Sequence, residues 1–462
     1  MKKYHHHNSI FSLVLFITVL TVILGSCKKL VENNPSGSQL LDKEVFNDST
    51  AIKGTLVGLY TSMNSGNRYS VLLSTRPAFS ADEMTFVGNT YDYFIGNVIN
   101  VNDQDVGNLW TAPYGIIYQA NVIIEGTSAG NNLSPAFRVR TIAEARFVRA
   151  FCYFYLINIF GDVPLVLGTD VEQNKVDTRK PVSAVYSQII EDLLYAQANL
   201  PADYAVSGSL RVRANKWAAT ALLARTYLYQ KNWAAAEAQA TAVIENTSLF
   251  GLEELARVFT PGSKEAILQF YNESNGFTAY ASAILPSPVT PVPKYVFTDQ
   301  LKNAFLAEDD DARRAIWSAT INYSNTIYTY PTKYRSLTPA ANTEYFTVMR
   351  LAEQYLIRAE ARAQQNEVAG ARADLFAVRN RAGLGETPAN DKDALLLAVE
   401  RERQIELNSE MGHRWFDLKR TGRADAVLGA AKANWTPEAA LYPVPADQRS
   451  RNGNLTQNPG YN

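Results

Sequence analysis

Acids, bases and one imidazole crowd a short stretch near the end of the chain. Glu400, Glu402, Glu406, Glu410 and Asp417 stand there with Arg401, Arg403, Arg414 and His413. Acid–base catalysis and metal ligation both use such groups, but ligation from a helix wants His or acids at i, i+4 on one face. Here Glu410 and Asp417 flank a single His413, with no second His nearby. The pattern reads instead as a charged helix whose Arg and Glu pair along its length and brace a neighbouring element. Glu308-Asp309-Asp310-Asp311 carries enough oxygen for a structural calcium, yet the spacing and glycine of a calcium loop are missing. A solvated acidic turn is expected there, and no cofactor or metal is expected anywhere.

Aromatic residues offer a second chemistry. The chain has 25 Tyr, 20 Phe and 6 Trp. Sugar rings present apolar C–H faces that stack on flat side chains, while amides and carboxylates bond the hydroxyls. Two stretches carry that mixture. In Gly88-Asn89-Thr90-Tyr91-Asp92-Tyr93-Phe94 the candidates are Asn89, Tyr91, Asp92, Tyr93 and Phe94. In the second they are Trp317, Asn322, Tyr323, Tyr328 and Tyr330. A third set, Trp110, Tyr114 and Tyr118, follows helical spacing and reads as core, with Asn121 a buried amide bonded to a neighbouring loop.

The third chemistry is a thiol. A basic start (Lys2, Lys3) precedes an apolar run, Ile10 to Leu24, too short to span a bilayer. It ends in Leu24-Gly25-Ser26-Cys27, similar to a bacterial lipobox, so Cys27 is the expected lipidation site. Cleavage after residue 26 removes two Lys and moves the formal net charge from −1 to −3. The His5–His7 triplet would leave with the leader, and no Asp follows Cys27 to argue for inner-membrane retention. Residues 1–26 are thus read as a lipoprotein signal peptide and 27–41 as a lipidated tether. Cys152, the other cysteine, sits in an aromatic helix and reads as a small buried hydrophobe.

The remaining chain must position these groups. Its 462 residues, 47% apolar and 19% charged, describe an ordinary globular protein with a large core. Near-neutral charge gives no electrostatic case for nucleic acid. Apolar residues recur at helical spacing, most clearly from Thr141 to Phe160, where Gly161 and Pro164 end the helix. Residues 221–235 can be set over 355–369, with Leu222/Leu356, Gln230/Gln364, Asn232/Asn366 and Ala235/Ala369 coinciding. Each copy reads as a helix, a polar turn and a second Ala-rich helix, as in tetratricopeptide units. Two stretches, about 62–108 and 250–345, break this pattern. The second is interrupted by Pro286, Pro288, Pro291 and Pro293, and Ile321 to Tyr330 alternates like short strands or an ordered loop. Mainly α, with irregular insertions on a helical scaffold, is the expected fold class.

Several landmarks resemble the SusD/RagB family. They are the lipobox start, Arg149 to Leu156 running into Phe160-Gly161-Asp162-Val163-Pro164-Leu165, and Arg350 to Ala361. Arg379-Asn380-Arg381-Ala382-Gly383-Leu384, Gly412 to Arg423, Tyr442-Pro443-Val444-Pro445 and Asn454 to Tyr461 complete the set. The resemblance implies a single helical domain over 42–462, tethered outside the outer membrane and capping a SusC-like TonB-dependent β-barrel transporter. It implies a non-catalytic receptor that delivers glycans, or in some members peptides. A secreted glycan hydrolase, needing paired carboxylates in a cleft, and a pure assembly scaffold are the rival readings.

Overall fold

The computed structural model describes residues 45–65, 68–88, 92–272, 276–339 and 341–461. The expected signal peptide, the expected tether with Cys27, and the candidates Asn89 and Tyr91 lie outside the described residues.

The first helices are α1 (Ser49–Ser65), α2 (Tyr69–Ser80), α3 (Gln104–Ala129) and α4 (Pro135–Phe160). α4 starts earlier than its apolar run suggests, because Ser134 caps the Phe137 N–H and Pro135 supplies a pre-set first residue. It stops at Gly161, whose φ of 73° only glycine adopts without strain. Its second half, Phe147 to Ile157, is buried on all sides, Cys152 included, and burial pushes that thiol up. α5 (Val182–Asn199), α6 (Lys216–Tyr229) and α7 (Trp233–Ile244) follow, then α10 (Leu351–Gln364) and α11 (Val368–Arg381) after the second insertion. α12 (Lys392–Glu406) and α13 (His413–Arg420) come last. Within the insertion lie α8 (Asp299–Leu306) and α9 (Ala312–Trp317).

From α3 to α7 each helix packs on the next, and α7 continues directly onto α10. The expected repeat is there, but its register is shifted by one residue. The left-handed turn residue is Lys231 (φ 59°) in one pair and Asn366 (φ 63°) in the other, so Asn232 matches Glu367 rather than Asn366. In that register the fully buried Ala236 and Val243 match Ala371 and Val378. Identity of residue type misled the comparison. Burial sets the true alignment.

The insertions are more ordered than their composition suggests. Part of the first is α2, nearly all buried, whose Ser74 and Thr75 donate to the carbonyls of Ser70 and Val71 instead of to water. The second is closed at its base by β2 (Ala266–Phe270) pairing antiparallel with β6 (Phe346–Arg350). The two insertions are joined where β1 (Met84–Phe86) pairs antiparallel with β3 (Tyr295–Phe297). β4 (Ser318–Tyr323) and β5 (Thr326–Pro331) form a hairpin closed by Ser324 and Asn325, with φ of 49° and 63°. Two left-handed residues in a two-residue loop match the right-handed strand twist.

The C-terminal charged stretch pairs in part within itself, Asp417 with Arg420 and Arg403, and Glu400 with Arg414, but three of its acids do not. Glu402 and Glu406 of α12 and Glu410 beyond it reach across to the insertion. Arg350 Nη1 donates to Glu406 at 2.5 Å and to Glu265 at 2.8 Å, and its Nε donates to Glu410 at 2.8 Å. Arg313 Nη1 donates to Glu402 at 2.5 Å and Glu406 at 2.8 Å, while its other nitrogens hold Asp311. Lys333 Nζ donates to Glu410 at 2.5 Å and to the Glu406 and Asn408 carbonyls. Burial opposes ionisation of Glu406, but Arg381, Arg350 and Arg313 outweigh it and hold the carboxyl well below its ordinary value. Asp311, expected in a solvated turn, is buried on Arg313, and Glu308 is held by Arg379. Replacing Arg350 with Met should strip buried carboxylates of their counter-charge and destabilise the fold by about 3–5 kcal/mol. Urea denaturation of the two proteins measures this.

Candidate functional site

Where the insertions meet, β1 and β3 set Phe86 opposite Tyr295, and Lys294 Nζ lies 5.8 Å and 5.3 Å from those ring centroids. The Val87 N–H donates to the Lys294 carbonyl at 2.9 Å. Gly88 follows at φ 148°, where a Cβ would come within 2.7 Å of the Phe86 ring, so the chain lies against Phe86 only because the residue is glycine. Tyr93 is 43% exposed beyond this turn. Tyr271, just after β2, is 45% exposed and meets Tyr345 edge-on at 5.4 Å, and its carbonyl accepts from Asn64 Nδ2 at the end of α1.

The hairpin forms a second platform. Its register pairs Ala319 with Tyr330, Ile321 with Tyr328 and Tyr323 with Thr326. Opposed residues share a face in an antiparallel pair, so Tyr323, Tyr328 and Tyr330 stand together. Tyr323 is exposed, and the other two are half-buried. Asn322 pairs with Ile327 and therefore points to the opposite face. On that face Thr320 and Thr329 line a cavity of about 400 Å³, walled also by Phe297, Leu306, Lys302 and Arg314.

Two expected contact residues are core instead. Trp317 is 1% exposed, its N–H donates to the Leu255 carbonyl, and Lys333, Arg350 and Arg381 lie 4.6–5.6 Å from its ring. A ring already faced by buried cations has no free face for a sugar. Phe94 is buried edge-on against Tyr442 at 5.3 Å, beneath Arg76. Asp92 accepts from the Phe94 N–H at 2.8 Å and lies 3.3 Å from Arg76, shaping the turn that presents Tyr93. Phe86, Tyr271, Lys294 and Asn64 were not singled out from sequence. Only the position of Tyr271 after an apolar run could have flagged one of them. In the helical stripe, Trp110 is buried, and the Asn121 amide donates to the Val166 and Gly168 carbonyls as expected. Tyr118, however, is 43% exposed.

Comparison with known proteins decides what this scaffold is. Residues 31–228 match a SusD-like model described as "Starch-binding associating with outer membrane", and residues 303–461 match the SusD family model. The chain belongs to the SusD/RagB-like family. SusD-like protein P25 of Formosa agariphila is 27% identical over 90% of this chain and 91% of its own, and SusD-like protein P2 of the same organism is 28% identical over the whole of both. A SusD homologue from Bacteroides thetaiotaomicron superposes with a TM-score of 0.78 at 22% identity, covering 92% of this chain and 99% of its own. A "Laminarin binding SusD-like protein" superposes with a TM-score of 0.74 at 23% identity, over 89% and 99%. The likeness in fold spans helices and insertions alike. No helix among the described residues is long and apolar enough to cross a membrane.

This SusD-like chain also carries adjacent carboxylates, Asp82 and Glu83, that a hydrolase reading would single out. Both Asp82 oxygens are held by Arg414 at 2.7 and 2.8 Å. Glu83 is 1% exposed and accepts from the Ser409 N–H at 3.2 Å. Burial first, and then Asp82, push the Glu83 carboxyl up to about 8 against the Ser409 N–H, Arg414 and Lys333. Its proton binds more tightly folded than at the ordinary 4.5, so its stabilising effect is complete below about pH 4.5 and fades as pH rises towards 8. Glu83→Gln keeps an acceptor for Ser409 without the charge. The variant should gain on its parent across that window, reaching on the order of a few kcal/mol near pH 8. Urea midpoints of both proteins, measured from pH 5 to 8, give the slope difference.

Proposed function

We propose that the protein is a non-catalytic cell-surface receptor, anchored by lipid on Cys27, that binds an oligosaccharide and passes it to a SusC-like TonB-dependent transporter. The observation that carries this reading is the β1–β3 pairing, which joins two aromatic insertions, distant in sequence, at one seam with the half-buried Phe86 ring on it. Exposed Tyr93 follows β1 in the chain, exposed Tyr271 follows β2, and Tyr323, Tyr328 and Tyr330 share the hairpin face. Flat rings beside Lys294 and Asn64 suit a ligand with apolar C–H faces and many hydroxyls, while Asn322 lies on the other face of the hairpin. Asn89 and Tyr91 remain contact candidates by their place in the first turn. Membership of a starch-binding family and a laminarin-binding structural neighbour support a glycan, with β-glucans the first to try.

A non-catalytic role is supported by the state of the acids: Glu402, Glu406, Glu410 and Asp82 are committed to buried cations. Cargo release onto a transporter needs only moderate affinity, which stacking supplies.

Calorimetry of residues 28–462 against a panel of glycans and peptides is the test. Heat is expected with a glycan and not with peptides. Tyr323→Ala and Tyr271→Ala should each weaken binding about tenfold through loss of stacking area, with unchanged unfolding midpoints. Silence across the glycans, or release of reducing ends from a bound one, would overturn the reading.

A further inference from the structure

The aromatic stripe of α3 has one member out of place. Trp110 is 3% exposed, and Tyr114 is half-buried with its hydroxyl donating to the Pro164 carbonyl at 2.8 Å. Tyr118, one turn further on, is 43% exposed. All three line a cavity of about 460 Å³ between α3, residues 164–175 and the short C-terminal helix Ala446–Arg451. A glycine opens this cavity. Gly115 lies inside α3, directly after Tyr114, and a Cβ there would meet nothing within 4 Å. Glycine weakens a helix interior relative to alanine, and neither a close neighbour nor a left-handed backbone calls for it here. The space its side chain would take is part of the cavity.

The rest of the wall is apolar with a few polar groups, and no carboxylate among the described residues lines it. Asn174 Nδ2 donates to the Gly168 carbonyl at 3.1 Å, and Gln448 Nε2 donates to Asp447 at 2.8 Å. Each amide is thus held by its nitrogen and keeps its oxygen for an incoming hydroxyl. Arg451, which also lines the cavity, is exposed and supplies donors. Two features coincide, an open ring face on a helix that otherwise buries its aromatics and a gap that packing within the protein does not require.

We propose that this cavity is a second glycan site, carried by a scaffold helix rather than by the insertions. A sugar ring stacks on Tyr118 and enters the gap left by Gly115, and its hydroxyls meet Asn174, Gln448 and Arg451. A mainly apolar wall with a few placed polar groups is the composition of a small-molecule site, and an exposed phenol ring supplies the stacking face. The inference rests on the receptor reading only for the choice of sugar. None of its residues belongs to the aromatic set of the insertions, so the two sites can fail separately.

Tyrosine-ring NMR of residues 28–462 tests this, with a laminarin hexasaccharide and maltohexaose as the probes. The Tyr118 signal, assigned by its loss in Tyr118→Phe, should shift with one of the two sugars. It should still shift when Tyr271→Ala and Tyr323→Ala are combined. Gly115→Leu fills the gap, and should weaken the response at Tyr118 about tenfold while raising the unfolding midpoint. Damage to packing would lower that midpoint instead. Shifts at Tyr271 or Tyr323 with Tyr118 silent would overturn this inference and leave the insertion site standing. Silence at all three rings, or a Gly115→Leu variant that binds as tightly as its parent, would overturn it as well.

Discussion

The fold depends on a charge buried where scaffold and insertion meet. Glu406 ends α12, a scaffold helix, and receives Arg313 and Arg350 from the far side of the insertion and Arg381 from α11. Burying a carboxylate alone is prohibitive, and burying it among guanidiniums whose remaining nitrogens hold Asp311, Glu265 and Glu410 is not. Such a network has one low-energy arrangement, because moving any member leaves another charge unpaired. It therefore sets the position of the insertion in a way that apolar packing, tolerant of small slides, does not.

That constraint reaches the surface through short links. Trp317 lies under Lys333, Arg350 and Arg381, and the next residue begins β4. Arg350 itself ends β6, whose pairing with β2 closes the base of the insertion. The buried cations so hold the root of the hairpin on which Tyr323, Tyr328 and Tyr330 stand. This suits the contact role proposed for those rings, since a platform held in advance loses little conformational freedom when a ligand arrives. The charged segment that most resembles catalytic machinery in the sequence is the part that holds the root of the hairpin in place.

The same economy explains the aromatic content. Within each insertion one ring fills the core while another faces water, Phe94 and Tyr93 in the first, Trp317 and Tyr323 in the second. The division follows polarity: a phenol tolerates a wet edge, whereas a phenyl ring, or an indole with its N–H bonded inside, is better buried. Asp92 shows how a polar neighbour serves this arrangement, capping the turn beneath Tyr93 and neutralising Arg76.

Helical class, the α4 stop at Gly161, the paired repeats, the buried Asn121 amide and the two insertions were legible in the residues, because caps, breakers and apolar spacing act over a few positions. The repeat register, the paths of Glu402, Glu406 and Glu410, the inward turn of Trp317 and the opposite facing of Asn322 were not. Each depends on what approaches from far along the chain: a cation, a carbonyl or a partner strand. Local sequence specifies which groups exist and which element carries them. Only tertiary structure decides which charges cancel in the interior and which rings are left to meet a ligand, since burial and pairing are properties of the assembled fold.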